Sequence, residues 1–151
     1  MTADLVRAIV DANRYLTLAT ADADGQPWPT PVWFAPIGYH EFLWVSDPQA
    51  GHSRNIAVRP EVGIAVFDSH AEIGTGQGVY ASAAATLLED GETARGIEAF
   101  SIRSVAHGGH EWTSGDVRPG AGLRLYRATA DSLWMLAKDG QPDHRVLVPL
   151  S

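Results

Sequence analysis

The chain has 151 residues, 45% of them apolar and 19% charged, the balance of one globular domain spanning residues 1–151, which excludes a disordered or fibrous chain. Eighteen Asp and Glu against eleven Lys and Arg give a formal charge of -7, so most of the surface repels a polyanion and no nucleic-acid partner is expected. Cysteine is absent, which excludes disulfides, thiolate metal sites and thiol nucleophiles. The N-terminal "MTADLVRAIV" carries an acid where a signal peptide carries bases, and no apolar run approaches membrane-spanning length. A soluble, cytoplasmic protein without a membrane partner is therefore the expectation.

Leu5, Val6, Ile9 and Val10 recur at helical spacing and predict a short amphipathic helix over Ala3 to Asn13. Alternation over Tyr15 to Thr20, the Asp24-Gly25 turn signal and "PWPTPVWFAP" predict a hairpin, with Trp28, Thr30, Val32 and Phe34 on one face of its second strand. Pro29 and Pro31 cannot donate to a ladder, so that strand needs an unpaired side or a bulge. "EFLWVS" and "VGIAVFD" read as further strands. The interlude "SDPQAGHSRNIAVRP" reads as a helix capped by Asp47, opened by Pro48 and stopped by Pro60. "GVYASAAATLLED" is a long strand of small side chains, and Asp90 is the expected cap of a helix that buries Ala94, Ile97 and Phe100. A glycine-rich loop from His107 follows. The last segment predicts two or three strands, divided by turn signals at Asp131-Ser132 and at Lys138-Asp139-Gly140. Seven or eight strands with two or three helices between them favour a mainly β antiparallel barrel.

The alternating glycines of "GTGQGVY" invite a nucleotide-binding reading. A dinucleotide fingerprint needs G-x-G-x-x-G opening a helix, whereas here a strand follows and no Lys-Ser or Lys-Thr makes a P-loop. A strand entry is the simpler account, with Gln77 able to present its amide from it. The helix near Asp47 is the better anion site. Its first turn supplies free N–H groups, and Ser46, Ser53, His52 and Arg54 lie close by in sequence. An ordinary amphipathic helix with solvated arginines fits the same residues. His107 and His110 lack the helical H-E-x-x-H frame that holds two imidazoles on one face, so no metal is expected and the loop is either solvated or a lid.

The run "SDPQAGHSRNIAVRPEVGIAVFD", with "DGQPWPTPVWF" before it and "GVYASAAATLLED" after it, resembles the flavin-binding split-barrel proteins related to pyridoxamine 5'-phosphate oxidase. The resemblance is collinear from about Tyr15 to the last strand. It implies a homodimeric split barrel with FMN in two clefts between the subunits. The backbone of Val32 and Trp33 would face the flavin ring, Ser46, His52 and Ser53 would hold the phosphate, and Thr30 would lie near it. Gln77 stands one place before the usual ring-contacting glutamine. Trp134 matches a tryptophan that reaches the flavin from the partner subunit, near His144 or Arg145.

The departures carry equal weight. Where the oxidase places basic residues against the phosphate, this chain has Thr30, Ala35, Gly51 and His52. An unperturbed imidazole is mostly uncharged near neutral pH, so His52 replaces a lysine only in part, and Arg54 helps only if it turns inward. No basic C-terminal strand of the kind that grips the oxidase's vitamin substrate precedes Ser151, which argues against pyridoxamine phosphate. The resemblance thus implies an FMN-dependent oxidoreductase acting on a small molecule. A relative using the deazaflavin F420 and a flavin-binding protein without turnover are the alternatives.

Overall fold

The alternation that marks the strands becomes one curled antiparallel sheet in the computed structural model, which describes residues 2–150. Among those residues the order is α1 (Thr2–Ala12), β1 (Tyr15–Ala21), β2 (Pro27–Trp33), β3 (Ala35–Ile37), β4 (Glu41–Ser46), α2 (Gly51–Val58), β5 (Glu61–Phe67), β6 (Gly78–Leu87), α3 (Asp90–Ala106), β7 (Arg124–Leu136) and β8 (Arg145–Val148). Hydrogen bonding runs β2-β1-β5-β6-β7-β4-β3, with β8 beside the far half of β7. The two ends of that order, β2 and β3, are consecutive in the chain with only Phe34 between them. The sheet therefore closes through the chain itself, giving the mainly β barrel with inserted helices that the sequence predicts.

Inside the barrel lie Leu16, Leu18, Phe34, Phe42 and Trp44, joined by Val6 and Val10 of α1 and Ile56 of α2. A second cluster packs Ile97 and Phe100 of α3 on Ala35, Leu43 and Leu125. Gly96 permits that approach, since a Cβ there would lie 3.0 Å from the Leu125 Cδ2. Ala94, expected in the buried stripe, is exposed; Thr93 and Gly96 occupy the inner face with Ile97 and Phe100.

The prolines of β2 sit as their chemistry requires. Pro27, Pro29 and Pro31 pair in register with Ala21, Ala19 and Thr17 of β1, and among the described residues β2 has no hydrogen-bonded strand on its other edge.

Three boundaries differ from the sequence expectation. Asp47 organises a turn instead of capping a helix: its carboxylate accepts the Gln49 N–H at 2.8 Å and its carbonyl the Ala50 N–H at 3.0 Å, so Pro48 lies in that turn and α2 starts at Gly51. Asp90 is the first residue of α3, and Glu89 holds the N-cap position. Asp131-Ser132 is no turn. β7 is one continuous strand, in which Ser82 pairs with Ser132 and Ala83 with Ala130, leaving Asp131 as the extra residue of a bulge; its carboxylate accepts the Ser82 hydroxyl. A short polar side chain that bonds across the ladder looks the same in sequence as a turn former.

Candidate functional site

The start of α2 is fixed by the β1–β2 hairpin. Asn55 donates its amide to the Thr20 hydroxyl at 3.0 Å, which itself donates to the Trp28 carbonyl at 3.2 Å. The Arg59 guanidinium bonds the carbonyls of Asp22 and Ala23 at 3.0 and 3.1 Å. Gly51 meets the Trp28 indole so closely that a Cβ would stand 3.0 Å from its Nε1, so a side chain here would lift the helix off the hairpin. No side chain caps this helix at Ala50. Its first-turn N–H groups are therefore uncommitted to a cap and carry the positive end of the helix dipole.

Beside that turn, Ser46 ends β4 and its Oγ lies 2.8 Å from the His52 Nε2, both residues being buried. Burial lowers the pKa of His52 below the ordinary imidazole value, so the ring is neutral near pH 7. The pair is a hydrogen-bonding unit without charge.

The end of α3 is built in the opposite sense. Gly108 adopts a φ of +87°, and the Gly108 and Gly109 N–H groups bond the carbonyls of Val105 and Ser104 at 3.0 and 2.8 Å. Only glycine takes that left-handed position without strain, and the bonds consume the last carbonyls of the helix. The chain then folds back along α3: Ser104 Oγ donates to the His110 carbonyl and Ser101 Oγ accepts the Trp112 N–H, each at 2.8 Å. The glycine-rich stretch is thus a tied-down wall. Arg14 closes it by donating to the His107 carbonyl at 3.1 Å. Burial, assisted by Arg103 and Arg14, lowers the His107 pKa.

Between these two helix ends opens a cleft of about 630 Å³, within the size range of small-molecule sites. Of the residues singled out from sequence, Thr30, Val32, Trp33, Ser46 and His52 line it together. Ser53 is buried with its Oγ unpartnered, but it faces a separate hollow between α2, Leu87 and Tyr126. Arg54 is exposed and does not turn in. Gln77 does not present its amide to the cleft: Nε2 donates to the Leu136 carbonyl at 3.0 Å while Oε1 accepts the Leu136 and Gly78 N–H groups, each at 2.9 Å, extending the β6–β7 ladder by one side-chain pair. Trp134 lies away from this chain's own cleft, in register with Tyr80 and Leu147. Nearby, the Arg145 guanidinium stacks 3.8 Å from the Tyr80 ring centroid and His144 pairs with Asp139.

Sequence reading missed Arg14 and Phe100 as lining residues, and it offered the loop that carries His110 and Trp112 as a lid only beside a solvated alternative. The Gly108-Gly109 pair after a helix was a legible stop signal; nothing local marks Arg14. Of the eighteen acidic residues, none lines the cleft. Among the described residues no three of His, Cys, Asp and Glu gather in a group able to hold a metal ion, and no helix is long and apolar enough to cross a membrane.

A sequence profile described as pyridoxamine 5'-phosphate oxidase matches residues 2–134. Comparison with curated proteins yields no match. Among solved structures, a heme binding protein from Mycobacterium smegmatis superposes with a TM-score of 0.75 at 20% identity, over 97% of this chain and 58% of that one. This chain thus spans little more than half of that protein's length. The heme storage protein HutZ from Vibrio cholerae gives a TM-score of 0.69 at 20% identity, covering 86% of this chain and 91% of its own. An FAD-binding protein from Mesorhizobium loti gives 0.67 at 21% identity, covering 89% and 94%. Identities this low establish a shared barrel and nothing finer.

Proposed function

The chain belongs to the pyridoxamine 5'-phosphate oxidase family, and from that premise we propose that it is an FMN-binding oxidoreductase acting on a small organic molecule. One observation carries the reading: the uncapped start of α2, Thr30 and the bonded pair Ser46 and His52 share a cleft that Pro31, Val32 and Trp33 of β2 also line. This donor set fits an anionic group joined to a flat ring. The helix N–H groups and the Ser46 and Thr30 hydroxyls would hold the phosphate, and the free edge of β2 would present its backbone to the ring. When bound, the isoalloxazine supplies hydride or electron transfer. The residues of this chain bind, orient and exclude water.

Charge is scarce around the Ser46–His52 pair. His52 is neutral, and no Lys or Arg lies among the lining residues beside it. Affinity should therefore be lower than in a relative with lysines at these positions, because hydrogen bonds to an anion are strengthened by a fixed cation.

The reading includes a homodimer. Across the outer face of the barrel, Ala65, Tyr80, Trp134 and Leu147 stand in one row, with Leu147 and Phe67 exposed and the small residues Ala19, Gly63 and Ser82 beside them. A row of small and aromatic side chains suits a second copy of the same face. It would bring Trp134 of the partner subunit towards the flavin. Trp134→Glu should convert a dimer into a monomer on size-exclusion chromatography with light scattering.

The direct test is spectroscopic. Freshly purified protein should be yellow and release FMN on denaturation, and a nicotinamide or deazaflavin donor should bleach the bound flavin. Uptake of F420 in preference to FMN would move the reading to the deazaflavin enzymes of this barrel. Tight flavin binding without reduction by any donor would make it a binder without turnover. A Soret band on titration with hemin, lost in His107→Ala, would instead favour a role like that of the heme binding protein and the heme storage protein above; their shared barrel is the observation that speaks for it.

A further inference from the structure

Part of the cleft wall, distinct from the bonded Ser46–His52 pair, is made of five rings in an unbroken chain. His107 stands edge-on to Trp33 with centroids 5.5 Å apart, Trp33 to Phe100 at 4.9 Å, Phe100 to Trp112 at 5.6 Å, and Trp112 lies 4.5 Å from His110. All five line the cleft. Such a wall favours a flat ring of the ligand's own, through offset or edge contacts beyond simple area burial.

At the His107 end sits Arg14, the single Lys or Arg among the lining residues. One of its amino groups is held by the His107 carbonyl, which ties down the guanidinium, and its other N–H donors have no partner among the described residues. No carboxylate lines the cleft to compete for them, although the chain as a whole is acidic. The neighbouring imidazole adds no second charge, since burial and the two arginines keep it neutral. One planar fork with one positive charge matches a carboxylate, which it binds by two parallel hydrogen bonds; a phosphate dianion would ask for more.

We propose that this part of the cleft is the substrate subsite, that it takes an aromatic carboxylate, and that Arg14 determines this specificity. The name substrate rests on the flavin reading above, whereas the anion selectivity rests on the five rings and Arg14 alone. The experiment separates the two. Quenching of tryptophan fluorescence by 1-naphthoate and by its uncharged counterpart 1-naphthamide is titrated on the full chain, with and without added FMN.

Naphthoate should bind about tenfold tighter than the amide, the preference expected of a charge-assisted hydrogen bond. Arg14→Met should abolish that preference and leave amide binding unchanged, Arg14→Lys should retain part of it, and Trp112→Ala should weaken both probes. Because the Arg14–His107 bond also closes the end of α3, a purely structural role would lower the melting temperature of Arg14→Met without touching the acid-to-amide ratio. That outcome, equal affinities in the unmodified protein, or no quenching by either probe would overturn the proposal. Competition between naphthoate and FMN would overturn it too, by making the two parts one site. Failure of FMN to bind while the acid preference persists would discard the flavin reading and keep the specificity.

Discussion

The two ends of the cleft are made from opposite ends of two helices, and the physics of helix termini divides their labour. At the Ser46 end a helix begins: α2 offers first-turn N–H groups that no side chain caps, so the site attracts an anion although its only titratable side chain is neutral. At the His107 end a helix finishes. There Gly108 and Gly109 take up the last carbonyls of α3, which would otherwise repel an anion, and a cation from elsewhere in the chain, Arg14, is needed to invert the sign. A helix start is an anion site by default, and a helix end becomes one only by addition.

Trp33 joins the two ends, at the close of β2 and in contact with both Phe100 and His107. Trp33→Ala should therefore break the comparison most completely, costing about 2–3 kcal/mol, less than for a fully buried large aromatic because the side chain is only half-buried. In a chain of this size that is a fall of roughly 4–12 °C in melting temperature. An unchanged thermal transition would mean that the wall is not continuous.

His52→Ala should weaken FMN binding about tenfold by isothermal titration, while His110→Ala leaves it nearly unchanged. Equal effects would remove His52 from the phosphate end. Gly108→Ala forces a side chain into the left-handed region and should cost about 1 kcal/mol, seen as a lower urea midpoint at constant slope. Tolerance of alanine there would show that the end of α3 is not held by this turn.

The smallest effect concerns pH. His52 and His107 both have folded pKa values below their ordinary ones, so the unfolded chain binds protons more readily than the folded one through the imidazole range. Their contribution is fully present above about pH 6.5 and is lost as pH falls below it. His52→Gln should flatten the decline in melting temperature between pH 7.5 and 5.5; an identical slope in the variant would place the acid sensitivity elsewhere.

Much of this was legible in the residues. Alternation named the strands, Pro60 stopped α2, the prolines of β2 marked an edge, and the resemblance led to Thr30, Val32, Trp33, Ser46 and His52, which do converge. Less legible was anything whose partner lies far along the chain. Gln77 looked free because Leu136, the residue that occupies both ends of its amide, is fifty-nine positions away. Asp131 looked like a turn because the Ser82 hydroxyl that it bonds lies on another strand. Ser53 sits beside His52 in sequence, yet it points into a different hollow because successive residues of a helix turn by about 100°.

The sequence by itself determined the local elements and the family, since periodicity, caps and breakers act between near neighbours along the chain. Only the tertiary structure decided that β2 runs into β3 through Phe34 and closes the barrel, and that the end of α3 comes to face the start of α2. Those decisions belong to pairings between distant segments. Their free energy comes from burying faces against each other, and no short stretch of residues records which face it will meet.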